Sequence, residues 1–120
     1  MKIRRCEVND ILNQKKTIFD LFEECIDSSF EAGDEKEKFI TRKVQELIYY
    51  LKKNAVVYIA TEETKIIGFV WAYPVEGGFD KRFHIAYISV FESLRGMGIG
   101  KLLVKEVEKE AYRQKIKQIE

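Results

Sequence analysis

The chain is poor in the residues that mark secreted, metal-binding or membrane proteins. Its 120 residues include two cysteines, one histidine and one proline. Cys6 and Cys25 stand far apart, without a Cys-x-x-Cys pair or a histidine at ligand spacing. A disulfide scaffold and a zinc site both need more than this, so the two thiols read as reduced packing groups and no metal is expected. Near Met1-Lys2-Ile3-Arg4-Arg5 no apolar run reaches signal-peptide length, and no later run approaches the ~20 residues of a membrane span. The expectation is a soluble, cytoplasmic protein with no membrane partner. An excess of one charge is missing too: 21 basic side chains face 20 acidic ones, and no basic block interleaves with aromatics. Nucleic-acid binding therefore has no support.

What the chain does have is 46% hydrophobic residues in a length that buries roughly two thirds of its unfolded surface, which predicts one domain over residues 1–120. A short strand is expected from about Lys2 to Val8. Asn9 or Asp10 then offers a helix cap, and Ile11, Ile18, Phe22, Cys25 and Ile26 recur at helical spacing. Ser28-Ser29 and Ala32-Gly33-Asp34 break this pattern before a second stripe of Ile40, Val44, Leu47, Ile48 and Leu51. Near the break, Phe30 and Phe39 read as core packing, with a place at a substrate mouth as the other reading. From Ala55 to Ala60 the chain turns β-branched and apolar on both faces, as a buried strand is. A turn at Glu62-Glu63-Thr64-Lys65 leads into a strand from Ile66 to Tyr73, which Pro74 should halt, and residues 75–82 read as a flexible connection.

The stretch from Phe83 to Tyr112 carries the chemistry. It reads as a strand ending in Ile88-Ser89-Val90, a turn Arg95-Gly96-Met97-Gly98-Ile99-Gly100, and a helix opening at Lys101-Leu102-Leu103. Glycines at alternate positions remove the Cβ atoms that would hold a ligand off the backbone, and the first N–H groups of the helix lack intrahelical partners. Together they make an anion site suited to phosphates. A Walker loop is excluded, because Arg95 stands where its first glycine belongs and Leu102 where its hydroxyl belongs. The dinucleotide pattern Gly-x-Gly-x-x-Gly fails at Lys101.

The pattern that does match is Arg-x-x-Gly-x-Gly at Arg95, Gly98 and Gly100, between strand and helix. It resembles the acetyl-CoA signature of the GNAT acyltransferase superfamily, and the element order β-α-α-β-β-β-α from Lys2 onward resembles that fold too. The implied fold class is α/β (α+β), with a mixed, mostly antiparallel sheet and the start of a further strand at Ile116-Lys117-Gln118-Ile119-Glu120. Set against the family, the chain looks like a member lacking its C-terminal quarter. An exposed strand start there is an edge that a second copy of the chain would satisfy, giving a homodimer.

The resemblance implies acetyl transfer from acetyl-CoA to a primary amine of a small molecule or peptide. Ile88, Ser89 and Val90 would bind the pantetheine through main-chain groups, and a backbone N–H near Val90 would stabilise the oxyanion. The pyrophosphate would lie over Gly96, Met97, Gly98, Ile99 and Gly100. Lys101 either meets its charge or is a solvated helix residue, and Arg95 either reaches a phosphate or braces the turn. A base must take a proton from the amine. His84 lies eleven residues before Arg95, where some members carry a glutamate base, and its ordinary pKa near ~6.5 suits the task. In a regular strand His84 shares a face with Ala86, Ile88 and Val90, whereas a one-residue bulge would reverse that. The tyrosine that commonly protonates the departing thiolate has no counterpart here, and Tyr112 does not substitute. The competing expectation is therefore a weak or inactive CoA-binding or dimerising module.

Overall fold

Apolar side chains from Val56 to Ile59 project alternately to the two faces of a strand, and each face finds a helical layer. The computed structural model describes residues 1–26, 34–77 and 80–120. Its elements are β1 (Lys2–Arg5), α1 (Val8–Asn13), α2 (Lys15–Cys25), α3 (Asp34–Leu51), β2 (Val56–Glu62), β3 (Lys65–Gly77), β4 (Asp80–Val90), a 3-10 turn (Glu92–Leu94), α4 (Ile99–Arg113) and β5 (Gln118–Ile119). The strands lie in sequential order in one sheet, antiparallel except for the last pair, which α4 joins as a parallel crossover. This is the mixed α+β architecture the sequence predicts. Val57, Ile59, Phe69 and Trp71 pack beneath α1, α2 and α3. On the opposite face Val56, Tyr58, Val70 and Ala72 meet Leu103 and Val107 of α4. Among the described residues, no helix is long and apolar enough to cross a membrane.

Three details depart from the sequence reading. The first helix is two helices, because Gln14 takes a non-helical conformation between them. Its side-chain amide explains the break: Nε2 donates to the Thr64 carbonyl at 2.8 Å and Oε1 accepts from the Ile66 N–H at 3.0 Å, clasping the β2–β3 turn. Pro74 does not halt β3, which runs to Gly77 with Pro74 opposite Phe83. The Phe83 carbonyl accepts from the Glu120 N–H at 2.7 Å, so the backbone groups of Phe83 face β5. Pro74 correspondingly turns its nitrogen away from β4, toward the side where pairing with β2 has ended at Ala72. No ladder bond is lost there. The expected flexible connection is therefore mostly hairpin. The third departure is a one-residue shift in register where Trp71 pairs with Tyr87 but Ala72 pairs with Ile85, leaving Ala86 as a bulge. Phe39 packs on the core, with the Lys43 ammonium 5.1 Å from its ring centroid. Phe30 and the predicted break at Ser28-Ser29 and Ala32-Gly33 lie outside the described residues.

Two contacts outside the cleft fix the frame. The Arg4 guanidinium grips Asp10 at 2.9 and 2.6 Å, tying β1 to α1, and Asp10 also accepts from the Glu7 N–H at 2.8 Å. The Arg4 hydrogen bond holds the Asp10 carboxyl below its usual range against an opposing effect of burial, with help from the Glu7 N–H. Because the folded state binds this proton less readily, the pair stabilises the protein above the unfolded value near ~3.9. That contribution is lost as pH falls through the folded-state value. Asp10→Asn is expected to lower stability at pH 7 and to shrink the stability difference between pH 7 and pH 3, read by urea unfolding at both. Gly68 marks a close approach of β3 to β4, since a Cβ there would stand 3.0 Å from the Ser89 carbonyl and 3.1 Å from Val90 Cγ2. Gly68→Ala should destabilise by about 1–3 kcal/mol, an overpacking cost, in the same unfolding measurement.

Candidate functional site

The bulge at Ala86 decides which way every functional residue of β4 points. Before it, Phe83 and Ile85 face α4; after it, Ile88 and Val90 do, while Tyr87 turns to the α2–α3 face. On that face Ser89 Oγ donates to the Leu21 carbonyl of α2 at 2.7 Å. His84 thus shares a face with Tyr87 and Ser89, not with Ile88 and Val90. Of the two readings the sequence left open for His84, the structure has the bulged one.

Backbone direction follows the same parity. Phe83 and Ile85 spend their polar groups on β5, through Glu120 N–H to the Phe83 carbonyl and Ile85 N–H to the Glu120 carbonyl, each 2.7 Å. Ile88 and Val90 point their N–H and C=O groups to this same side, where no strand among the described residues pairs with them. A cleft of about 490 Å³ opens there, and α4 begins across it. Ile88, Ser89, Val90, Arg95, Gly96, Gly98, Ile99, Gly100 and Lys101 all line this cleft, joined by Leu94. The sequence reading missed Leu94, whose only signal was its place in the turn. Met97 lies outside the lining and is 70% exposed, so it contributes no side chain to the cleft wall.

The turn is built for backbone access. Gly96 and Gly98 have φ values of +87° and +82°, the left-handed region that L side chains rarely adopt, and a Cβ on either would meet only open space. Gly98 is also the N-cap of α4, and no side chain caps the helix. Leu102 N–H bonds the Gly98 carbonyl at 3.1 Å, leaving the N–H groups of Ile99, Gly100 and Lys101 without intrahelical partners. Lys101 is exposed at the cleft wall and makes no hydrogen bond or ion pair among the described residues. Arg95 has a different task in this structure. Its Nε donates to the Val90 carbonyl at 3.1 Å and its Nη2 lies 3.4 Å from Glu24, whose carboxylate also accepts from the Glu92 N–H at 3.0 Å. Arg95 braces the turn against α2 and the strand end.

A second concavity, about 710 Å³, lies on the α3 side of β3 and β4 and contains His84. Its walls include Tyr50 of α3, Trp71 and Tyr73 of β3, and Tyr87 of β4. The His84 ring lies 5.3 Å from that of Tyr73. Neither cysteine is an activated nucleophile: burial pushes the Cys6 thiol up to about 12 and raises that of Cys25 as well. Among the described residues no cluster of ligating side chains could hold a metal. Tyr112 stands 85% exposed on α4 and lines neither concavity.

Solved structures repeat this architecture. An aminoglycoside acetyltransferase from an uncultured soil metagenomic sample, solved with sisomicin, superposes with a TM-score of 0.72 at 24% identity over 99% of this chain and 74% of its own. A predicted acetyltransferase of Clostridium acetobutylicum, solved with acetyl-CoA, gives 0.73 at 18% identity over 98% of this chain and 77% of its own. A ribosomal-protein-alanine N-acetyltransferase from Brucella melitensis biovar Abortus 2308 gives 0.69 at 16% over 99% and 78%. At these identities the likeness is one of fold. No curated protein matches the chain at a significant level. The sequence profile of the Acetyltransferase (GNAT) family matches residues 16–120, and with that match the chain belongs to the GNAT acetyltransferases.

Proposed function

We propose that this protein transfers an acetyl group from acetyl-CoA to a primary amine of a small molecule or peptide. One observation carries the reading: the uncapped start of α4 and the strand edge of Ile88 and Val90, which no strand among the described residues pairs, line a single cleft. The residues present fit an acyl-CoA. Uncapped N–H groups at the positive end of a helix suit a pyrophosphate, and Gly96, Gly98 and Gly100 leave the space a diphosphate needs. Lys101 adds an unpaired cation beside them. Amide groups of the pantetheine arm are matched by the N–H and C=O of Ile88 and the N–H of Val90, which act as an open strand edge, the Val90 carbonyl being held by Arg95.

Acetyl-CoA supplies an activated acyl carbon, at which the amine forms a C–N bond while the C–S bond breaks and sulfur leaves with the electron pair. The N–H of Ile88 or Val90 donates to the carbonyl oxygen as negative charge builds on it, replacing water by a fixed donor. The amine must also shed a proton. His84 stands on the pocket side of β4, four residues before Ile88, which at ~3.3 Å per residue is roughly 10–13 Å along the strand. Its ring reaches only part of that way, so the proton passes through water to the imidazole. With both cysteine thiols raised by burial, transfer is direct, without an acyl-enzyme. The relatives of similar fold act on unlike acceptors, so they do not name the amine for this chain.

Gly100 separates binding from folding. A Cβ at this position meets nothing closer than Ile88 Cδ1 at 4.0 Å, and alanine favours a helix over glycine by up to ~1 kcal/mol. Gly100→Ala should therefore fold with equal or greater stability while weakening CoA binding at least about ten-fold, a loss of ~1.4 kcal/mol, by calorimetric titration. Unchanged CoA affinity would remove the cleft as the binding site. His84→Gln should lower turnover about 10²-fold, the lower end of a general base's contribution, with CoA affinity nearly unchanged. Turnover is read by thiol release from acetyl-CoA over an amine panel, with mass spectrometry of the products. CoA binding without amine-dependent release would instead favour a non-catalytic CoA-binding module.

A further inference from the structure

The pocket beside His84 has a chemical character of its own. Its floor is Trp71, 4% exposed, and the Trp71 Nε1–H has no hydrogen-bond partner. The nitrogen itself is buried away from the pocket, so a ligand meets the Trp71 ring rather than its N–H. The surrounding rings form a continuous aromatic surface: Trp71 lies 5.6 Å from Tyr87 and 6.4 Å from Tyr50, centroid to centroid. Such a surface accepts a flat apolar body, and its ring faces attract an ammonium group. The charges of the pocket are already matched in pairs. Glu46 lies 3.0 Å from Lys43 and Glu76 lies 3.3 Å from Lys81, so no uncompensated carboxylate field remains to hold a polycation. At about 710 Å³ the pocket suits a molecule of drug size.

Resting on the acetyltransferase reading, we propose that this pocket is the acceptor site and that its substrate is a monoamine with an aromatic or apolar body. Polycationic amino sugars and polyamines are poor ligands for it. Register sets the orientation. Trp71 lies opposite Tyr87, beside Ile88, and Tyr73 lies opposite His84 farther along the hairpin. The amine thus sits against the ring faces of Trp71 and Tyr87, at the end of the pocket closest to the cleft, and the apolar body extends over Tyr50 and Tyr73.

Trp71 is the only tryptophan of the chain, so its emission reports occupancy of this pocket without any turnover. The test is a fluorescence titration of the full chain, with no acetyl-CoA present, using phenylalaninamide, phenethylamine, spermidine and sisomicin. Phenylalaninamide and phenethylamine are each expected to give a saturable change, with affinities within about five-fold of each other. Spermidine and sisomicin should bind at least about ten-fold more weakly, and Tyr73→Ala, at the rim, should weaken phenylalaninamide about five-fold through lost ring contact. Absence of a saturable change with phenylalaninamide, or equal affinity for the polycations, overturns the proposal. Because no acyl donor is present, these outcomes stand apart from any failure of acetyl transfer, which the thiol-release measurement reads separately.

Discussion

The pairing of β3 with β4, and the one extra residue it accommodates at Ala86, is the constraint on which the site depends. A strand offers two faces and two edges, and their assignment alternates residue by residue. Inserting one residue exchanges both at once. Below the bulge β4 gives its edge to β5 and its pocket-side face to His84; above it, no strand among the described residues pairs with the edge of Ile88 and Val90, and Ser89 is anchored to α2. Without the bulge, Ile88 and Val90, which share the parity of His84, would face α3 with it, and the glycine turn would follow a strand rotated out of place. Gly68 serves the same pairing, because β3 can approach Ser89 and Val90 this closely only where no side chain intervenes.

The phosphate turn shows a fold left incomplete at one place. Most helices satisfy their first N–H groups with a serine, threonine or aspartate cap worth about 1 kcal/mol, and α4 has none. Two left-handed glycines add their conformational entropy to that cost. The rest of the turn is firmly held: Arg95 and Glu24 join the end of β4, the 3-10 turn and α2 through three contacts. Rigidity around an unsatisfied set of donors is what a preorganised anion site requires, because the donors need no reordering when charge arrives. Arg95, one of the residues that defines the sequence pattern, acts here on the protein itself, where its bidentate reach fixes the geometry of its neighbours' N–H groups.

Much of this was legible in the sequence because local rules and the global fold agree along Phe83 to Tyr112. Strand, glycines and amphipathic helix each have their own periodicity, and nine of the ten residues assigned to the donor site line one cleft. The misses are places where a distant partner overrode a local preference. Gln14 breaks a helix that its neighbours would continue, because a backbone turn fifty residues away supplies both partners of its amide. Pro74 sits inside a strand because β2 ends just before it, a matter of sheet topology invisible in a window around the proline. The face of His84 hung on one residue of register, which sequence periodicity can pose as a question and cannot answer.

The same bulge places two differently built concavities on either side of one strand. The cleft toward α4 is made of backbone and glycine, and it recognises a ligand by main-chain donors, dipole and space. The pocket toward α3 is made of rings, which offer shape and ring faces. A main-chain site tolerates much sequence change because its donors belong to every residue, whereas a ring-lined pocket changes its ligand with each side chain. On the proposed reading, selectivity for the acceptor would reside in Tyr50, Trp71, Tyr73 and Tyr87, none of which lines the glycine-built cleft.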